Sequence, residues 1–254
     1  MGAPSPEIVA EWVVEVATNQ AYKPLREILE TALAQRLREN SPEQNADLSE
    51  KLGPSVINQL EVLLAEEQSE GISPRFEVAI EGESRVTGTE AYFRVLETPE
   101  KPLLTKLRAM DPGGFEDFCA NILSNLGAKA TRVGGSNDNG VDFIALSLQL
   151  GEKVKFAPRV SKALVIGQAK RYKEGSNITP TMLREFVGGA ILRANELRES
   201  NRFDAGVLTP VIYAYWTTSD FHYEARKYAR AMGMWYLNGL GLTQLAMRAG
   251  LKID

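Results

Sequence analysis

Cysteine and histidine are almost missing from this chain: one of each, Cys119 and His222, in 254 residues. A single thiol excludes an intramolecular disulfide and agrees with a reducing, cytosolic compartment. One histidine excludes a His-rich zinc cluster and gives no firm basis for a dyad of the Cys-His type. Cys119 falls on the apolar side of FEDFCANIL and reads as a core thiol, while His222 reads as a surface residue at a helix start. Long apolar runs are also lacking, with none near the ~18 residues of a membrane span, so no membrane partner is expected. The opening MGAPSPEIVAEWVVEVA carries glutamates where a secretory leader would be basic. Proline and serine at its fourth and fifth positions do not suit acylation. Internal repeats and low-complexity tracts are absent as well.

What is present is ordinary in amount and uneven in placement. The apolar share of 44% and charged share of 24% fit a globular protein with a substantial core. The net charge of −4 conceals a split: residues 1–104 hold 9 Lys and Arg against 19 Asp and Glu, or −10, and residues 105–254 stand at +6. A basic surplus confined to one half suits a surface that neutralises phosphates.

The patterning divides the chain likewise. Residues 1–100 read as a mainly helical domain, with apolar faces in SPEIVAEWVVEVA, in Lys23–Arg38 and in PSVINQLEVLLAEE, and a polar, turn-rich SPEQNADLSEKLGP between the last two. RFEVAI reads as a strand, and TGTEAYFRVLE as strand or helix. Helices followed by a strand pair suit a winged-helix-like module. The acidic balance favours dimerisation or regulation equally, since three apolar faces are more than so short a segment easily buries. ETPEKPLL, with its two prolines, is the linker candidate. Residues 104–254 then alternate helix and strand, predicting an α/β domain with a central mixed sheet flanked by helices.

The chemistry concentrates in GSNDNGVDFIA and VIGQAKRY, which read as adjacent strands. Residues i and i+2 of a strand share a face, so Gln168 and Lys170 project together while Ala169 turns inward. Asp142 and the Gln168 carbonyl would then share a hard, oxygen-seeking cation such as Mg²⁺, or Mn²⁺ in its place. Lys170 would stand where charge develops on a phosphate. This combination suits metal-assisted hydrolysis of a phosphodiester. Asn137 and Asp138 read as turn formers.

With DPGGFEDFCANILSNLGAKATRV upstream, and MLREFVGGAILRA and YAYWTTSDFHYEARKYARA downstream, this order resembles the Mrr-like catalytic domain of the PD-(D/E)XK nuclease superfamily. The resemblance covers roughly Leu104 to Leu245. It implies a restriction-endonuclease-like core and a Mg²⁺-dependent DNA endonuclease of the restriction or anti-phage type, with cytoplasmic location. A structure-selective junction or repair nuclease, or an inactive nuclease fold used for binding, are the alternatives. The implied catalytic set is Asp142, Gln168, Lys170 and Glu116, with Asp142, Gln168 and Glu116 toward the metal. Glutamine binds a cation less strongly than the superfamily's usual acid, hence the interest in Glu116. Arg132, Arg171, Lys173 and Thr218 are the expected DNA contacts. Thr217, Thr218 and Ser219 would close the site, or Ser219 or Asp220 would cap the helix that follows. Expected partners are DNA, a second copy in a homodimer, and a defence-system protein.

Overall fold

The computed structural model describes residues 4–69, 73–81, 90–97, 100–133, 140–149, 162–173, 176–200 and 209–251. The turn formers Asn137 and Asp138, and most of the predicted insertion at 149–162, lie outside them. The chain divides into two compact units, Met1–Pro99 and Glu100–Asp254.

The first unit runs α1 (Pro6–Val16), β1 (Lys23–Pro24), α2 (Leu25–Arg36), α3 (Pro42–Ser69), β2 (Phe76–Glu81) and β3 (Glu90–Val95). Its sheet has the order β1-β3-β2 with antiparallel pairs. The stretch read as polar and turn-rich is the first half of α3. A reciprocal cap starts that helix: the Gln44 amide N–H donates to Ser41 Oγ at 3.2 Å, and Gln44 Oε1 accepts from the Ser41 N–H at 2.8 Å. The helix then runs through Pro54 without ending. Val9, Val13, Leu29, Leu33, Val56 and Leu60 are buried with Phe76 and Phe93 in one core. The three apolar faces are therefore consumed within the unit, which removes surplus apolar surface as a reason for a dimer.

The second unit continues with α4 (Lys101–Ala109), α5 (Pro112–Asn125), β4 (Lys129–Arg132), β5 (Phe143–Gln149), β6 (Lys162–Lys170), β7 (Asn177–Ile178), α6 (Pro180–Glu199), β8 (Val211–Thr217), β9 (Asp220–Phe221), α7 (Tyr223–Ala231), β10 (Trp235–Leu237) and α8 (Gly239–Arg248). Part of the linker candidate is thus helix, because Leu104 and Leu107 of α4 are buried. The cap of α7 is His222 rather than Ser219 or Asp220, and its Nδ1 accepts the Glu224 N–H at 3.3 Å.

The main sheet has the order β10-β8-β6-β5-β4, with β4, β5 and β6 antiparallel and β6, β8 and β10 parallel. Alternation along the central strands feeds two cores. Phe143, Ala145, Val165, Ala169 and Trp216 face one side with α5 and α8. Ile144, Leu164, Ile166 and Tyr215 face the other with α6 and α7. No helix among the described residues is long and apolar enough to cross a membrane.

Candidate active site

The site forms where β5 and β6 part at one end of the sheet. Asp142 lies one residue before β5 and ties three strands. Its N–H donates to Gly167 O at 2.9 Å, its carbonyl accepts from Val133 N–H at 2.8 Å, and its Oδ2 accepts from Ala169 N–H at 2.8 Å. A side-chain oxygen thus serves a backbone N–H of β6 as this end of the ladder opens. That bond fixes the carboxylate of a side chain that is only 8% exposed. Lys170 Nζ stands 3.7 Å from the same oxygen, with its side chain 36% exposed. Gln168 is buried on the face that Lys170 shares, while Ala169 enters the core beneath α5. The expected alternation therefore brings Asp142, Gln168 and Lys170 together.

Glycine permits the approach at two places. Gly140 has φ +75°, and a Cβ there would stand 3.2 Å from Gln168 Nε2. Gly140→Ala is expected to cost about 1–3 kcal/mol in backbone strain. It should also displace the Gln168 amide, so cleavage should fall further than stability, as paired thermal melts and nuclease assays would show. Gly167 lies beneath the Phe143 ring, with its would-be Cβ 2.0 Å from Cζ. A glycine inside an apolar strand signals such a close approach, and the motif spacing alone does not use it.

Residues 107–246, more than half of the chain, match the family Mrr_cat, described as a restriction endonuclease. The chain belongs to that family. Two solved structures are similar to it. The MspJI restriction endonuclease in complex with a 27-mer oligonucleotide is 20% identical, with a TM-score of 0.39 over 61% of this chain and 35% of that one. The DNA modification-dependent restriction endonuclease AspBHI is 19% identical, with a TM-score of 0.42 over 61% and 37%. The match spans little more than a third of the length of either protein. No curated protein matches the chain.

Around the three central residues of the Mrr_cat domain, the other expected ones fall into two groups. Glu116, on α5, reaches the same end of the sheet, but Arg132 Nε holds its carboxylate at 2.9 Å, and Arg132 Nη1 reaches Asp117 at 3.4 Å. Cys119 is fully buried, and its thiol is pushed up by burial first, then by the charges of Asp142 and Glu116. Both acids therefore bear on one buried atom, and the thiol is inert as expected. Among the described residues no group of three His, Cys, Asp or Glu side chains is placed to hold a metal. Asp142, Gln168 and Glu116 offer oxygen donors at this end of the sheet, the kind that a hard divalent cation takes.

The remaining group fastens the chain. Thr218 is fully buried, its hydroxyl accepting from Tyr172 N–H and donating to Tyr172 O, both at 2.8 Å. A hydroxyl so placed is not a DNA contact, which corrects that expectation. Thr217 Oγ1 donates to Lys170 O at 2.7 Å, and Ser219 O accepts from Gly239 N–H at 2.9 Å. The TTS segment thereby clamps the chain just after the site lysine. Arg108 Nε donates to Thr218 O at 3.2 Å, and the Arg171 guanidinium donates to Arg108 O at 3.0 Å. Arg171 thus meets the C-terminal end of α4, where a cation is favoured. Of the expected phosphate contacts, Arg132 and Lys173 are exposed, Arg132 being paired with Glu116 and Asp117.

Proposed function

We propose that this Mrr_cat protein is a divalent-metal-dependent DNA endonuclease, acting in restriction or anti-phage defence in the cytoplasm. The observation that carries the reading is the convergence of Asp142 and Lys170, 3.7 Å apart, with Gln168 buried on the same strand end. An intact set of this kind speaks against an inactive binding module. DNA as the substrate is supported by the family and by the basic balance of residues 105–254.

Asp142, Gln168 and Glu116 would hold Mg²⁺ or Mn²⁺, which when bound supplies Lewis-acid activation at the phosphate. Asp142, fixed by the Ala169 N–H, presents its carboxylate without reorganisation. Lys170 places a fixed positive charge beside it, where negative charge develops on the phosphoryl oxygens. Plasmid DNA incubated with Mg²⁺ should be nicked or cut, and EDTA should stop the reaction. Intact plasmid under both conditions, modified or unmodified, would overturn the proposal.

Glu116→Gln is expected to raise the Mg²⁺ concentration for half-maximal cleavage about tenfold, whereas Gln168→Glu should retain activity. An unchanged Mg²⁺ titration of the Glu116→Gln protein would assign that residue to its pair with Arg132. Cutting both strands needs two active sites or two visits, and a two-fold dimer supplies both. A homodimer is therefore expected by light scattering, and a monomer at every working concentration would exclude it. The first unit's order α1-β1-α2-α3-β2-β3 supports a winged-helix-like arrangement. Its α3 carries six acids and one lysine, so a protein or regulatory contact is the better use of that surface.

A further inference from the structure

Tyr215 stands beside the site and is not accounted for by it. In the parallel ladder of β6 and β8 it is the register partner of Gln168, so the two side chains leave the sheet on one face. The ring is fully buried and packs edge-on against Phe186 at 5.6 Å and Phe221 at 6.0 Å. Its hydroxyl is also buried, yet has no hydrogen-bond partner among the described residues. Phenylalanine would make the same ring contacts without leaving a donor unsatisfied, and buried donors are nearly always paired.

We propose that Tyr215 is a positioning residue: its hydroxyl donates to an ordered water beside Asp142 and Gln168, and through that water fixes the Gln168 side chain. The inference rests on the nuclease reading of the site. It explains why a polar tip is kept on a ring packed against Phe186 and Phe221.

The test is Tyr215→Phe in the full chain. The melting temperature should change little, because packing is kept and only a water-mediated bond is lost. The maximal rate of plasmid cleavage should fall about tenfold, with the KM for DNA unchanged. The rise in melting temperature produced by Mn²⁺ should shrink in parallel. On a Gln168→Ala background the same substitution should add less than about twofold, since coupled residues are not additive.

A Tyr215→Phe protein with the parent rate and the parent Mn²⁺-induced shift would overturn the proposal. A large fall in the melting temperature would also overturn it, by placing the hydroxyl in a bond of the fold itself. Additive effects in the double variant would remove the route through Gln168. If the parent protein cuts no DNA, the nuclease reading fails separately, and the Mn²⁺-induced shift alone decides the role of Tyr215.

Discussion

Asp142→Asn is expected to keep the fold and lower cleavage at least about a hundredfold, the scale of removing one preorganised charge or donor. The asparagine carbonyl still accepts the Ala169 N–H now bonded at 2.8 Å, so the backbone of β6 stays satisfied. What is lost is the negative charge facing Lys170 and any cation. Asp142→Ala should do more harm to the fold, because it orphans that buried N–H at a cost of about 1–3 kcal/mol. Lys170→Ala should match the rate loss with little change in stability, since its side chain is 36% exposed and such pairs contribute weakly. Plasmid cleavage beside thermal melts of the three proteins checks this. Near-parental activity in the Asp142→Asn or Lys170→Ala protein would remove the pair from the chemistry.

The largest effect on the fold should come from a single methyl group at Gly167. A Cβ there would lie 2.0, 2.2 and 2.7 Å from three carbons of the Phe143 ring. The ring has nowhere to go, being fully buried and held 5.1 Å from Trp216, centroid to centroid. Overpacking of this kind costs typically 1–3 kcal/mol, which for a chain of this size lowers the melting temperature by roughly 2–12 °C. Phe143→Leu added to Gly167→Ala should recover part of the loss, although Phe143→Leu alone is destabilising. Cleavage should fall too, because Phe143 follows Asp142 directly and holds the start of β5. An unchanged melting temperature for Gly167→Ala would show that the two strands separate easily at this point.

The central site was legible because strand alternation is strict. Once 162–170 reads as a strand, Gln168 and Lys170 must share a face and Ala169 must oppose them. Glu116 was harder to place, since spacing along α5 says nothing about Arg132, which comes from a neighbouring strand and occupies its carboxylate. Thr218 was misplaced for a similar reason. Threonine is common at surfaces, and only the long-range bonds to Tyr172 reveal that its hydroxyl is taken. The first half of α3 was hidden by composition, as Ser, Asn, Asp and Gly outweigh its sparse apolar residues. Its cap was nevertheless written in the sequence as Ser41 followed three residues later by Gln44. Tyr215 carried no signal of its own, because a tyrosine in an apolar strand looks like core until its hydroxyl is found without a partner among the described residues.

The clamp at Thr217 to Ser219 has a bearing on how the protein is made. The acid and the lysine are both translated by Lys170, but β6 is an inner strand whose second neighbour, β8, begins only at Val211. The hydroxyls that fasten Lys170 and Tyr172 come later still. A growing chain therefore carries Asp142 and Lys170 for an interval in which one side of β6 is bare and its end is untethered. The site end of β6 is therefore completed only with the parallel half of the sheet, well after the lysine itself has been translated.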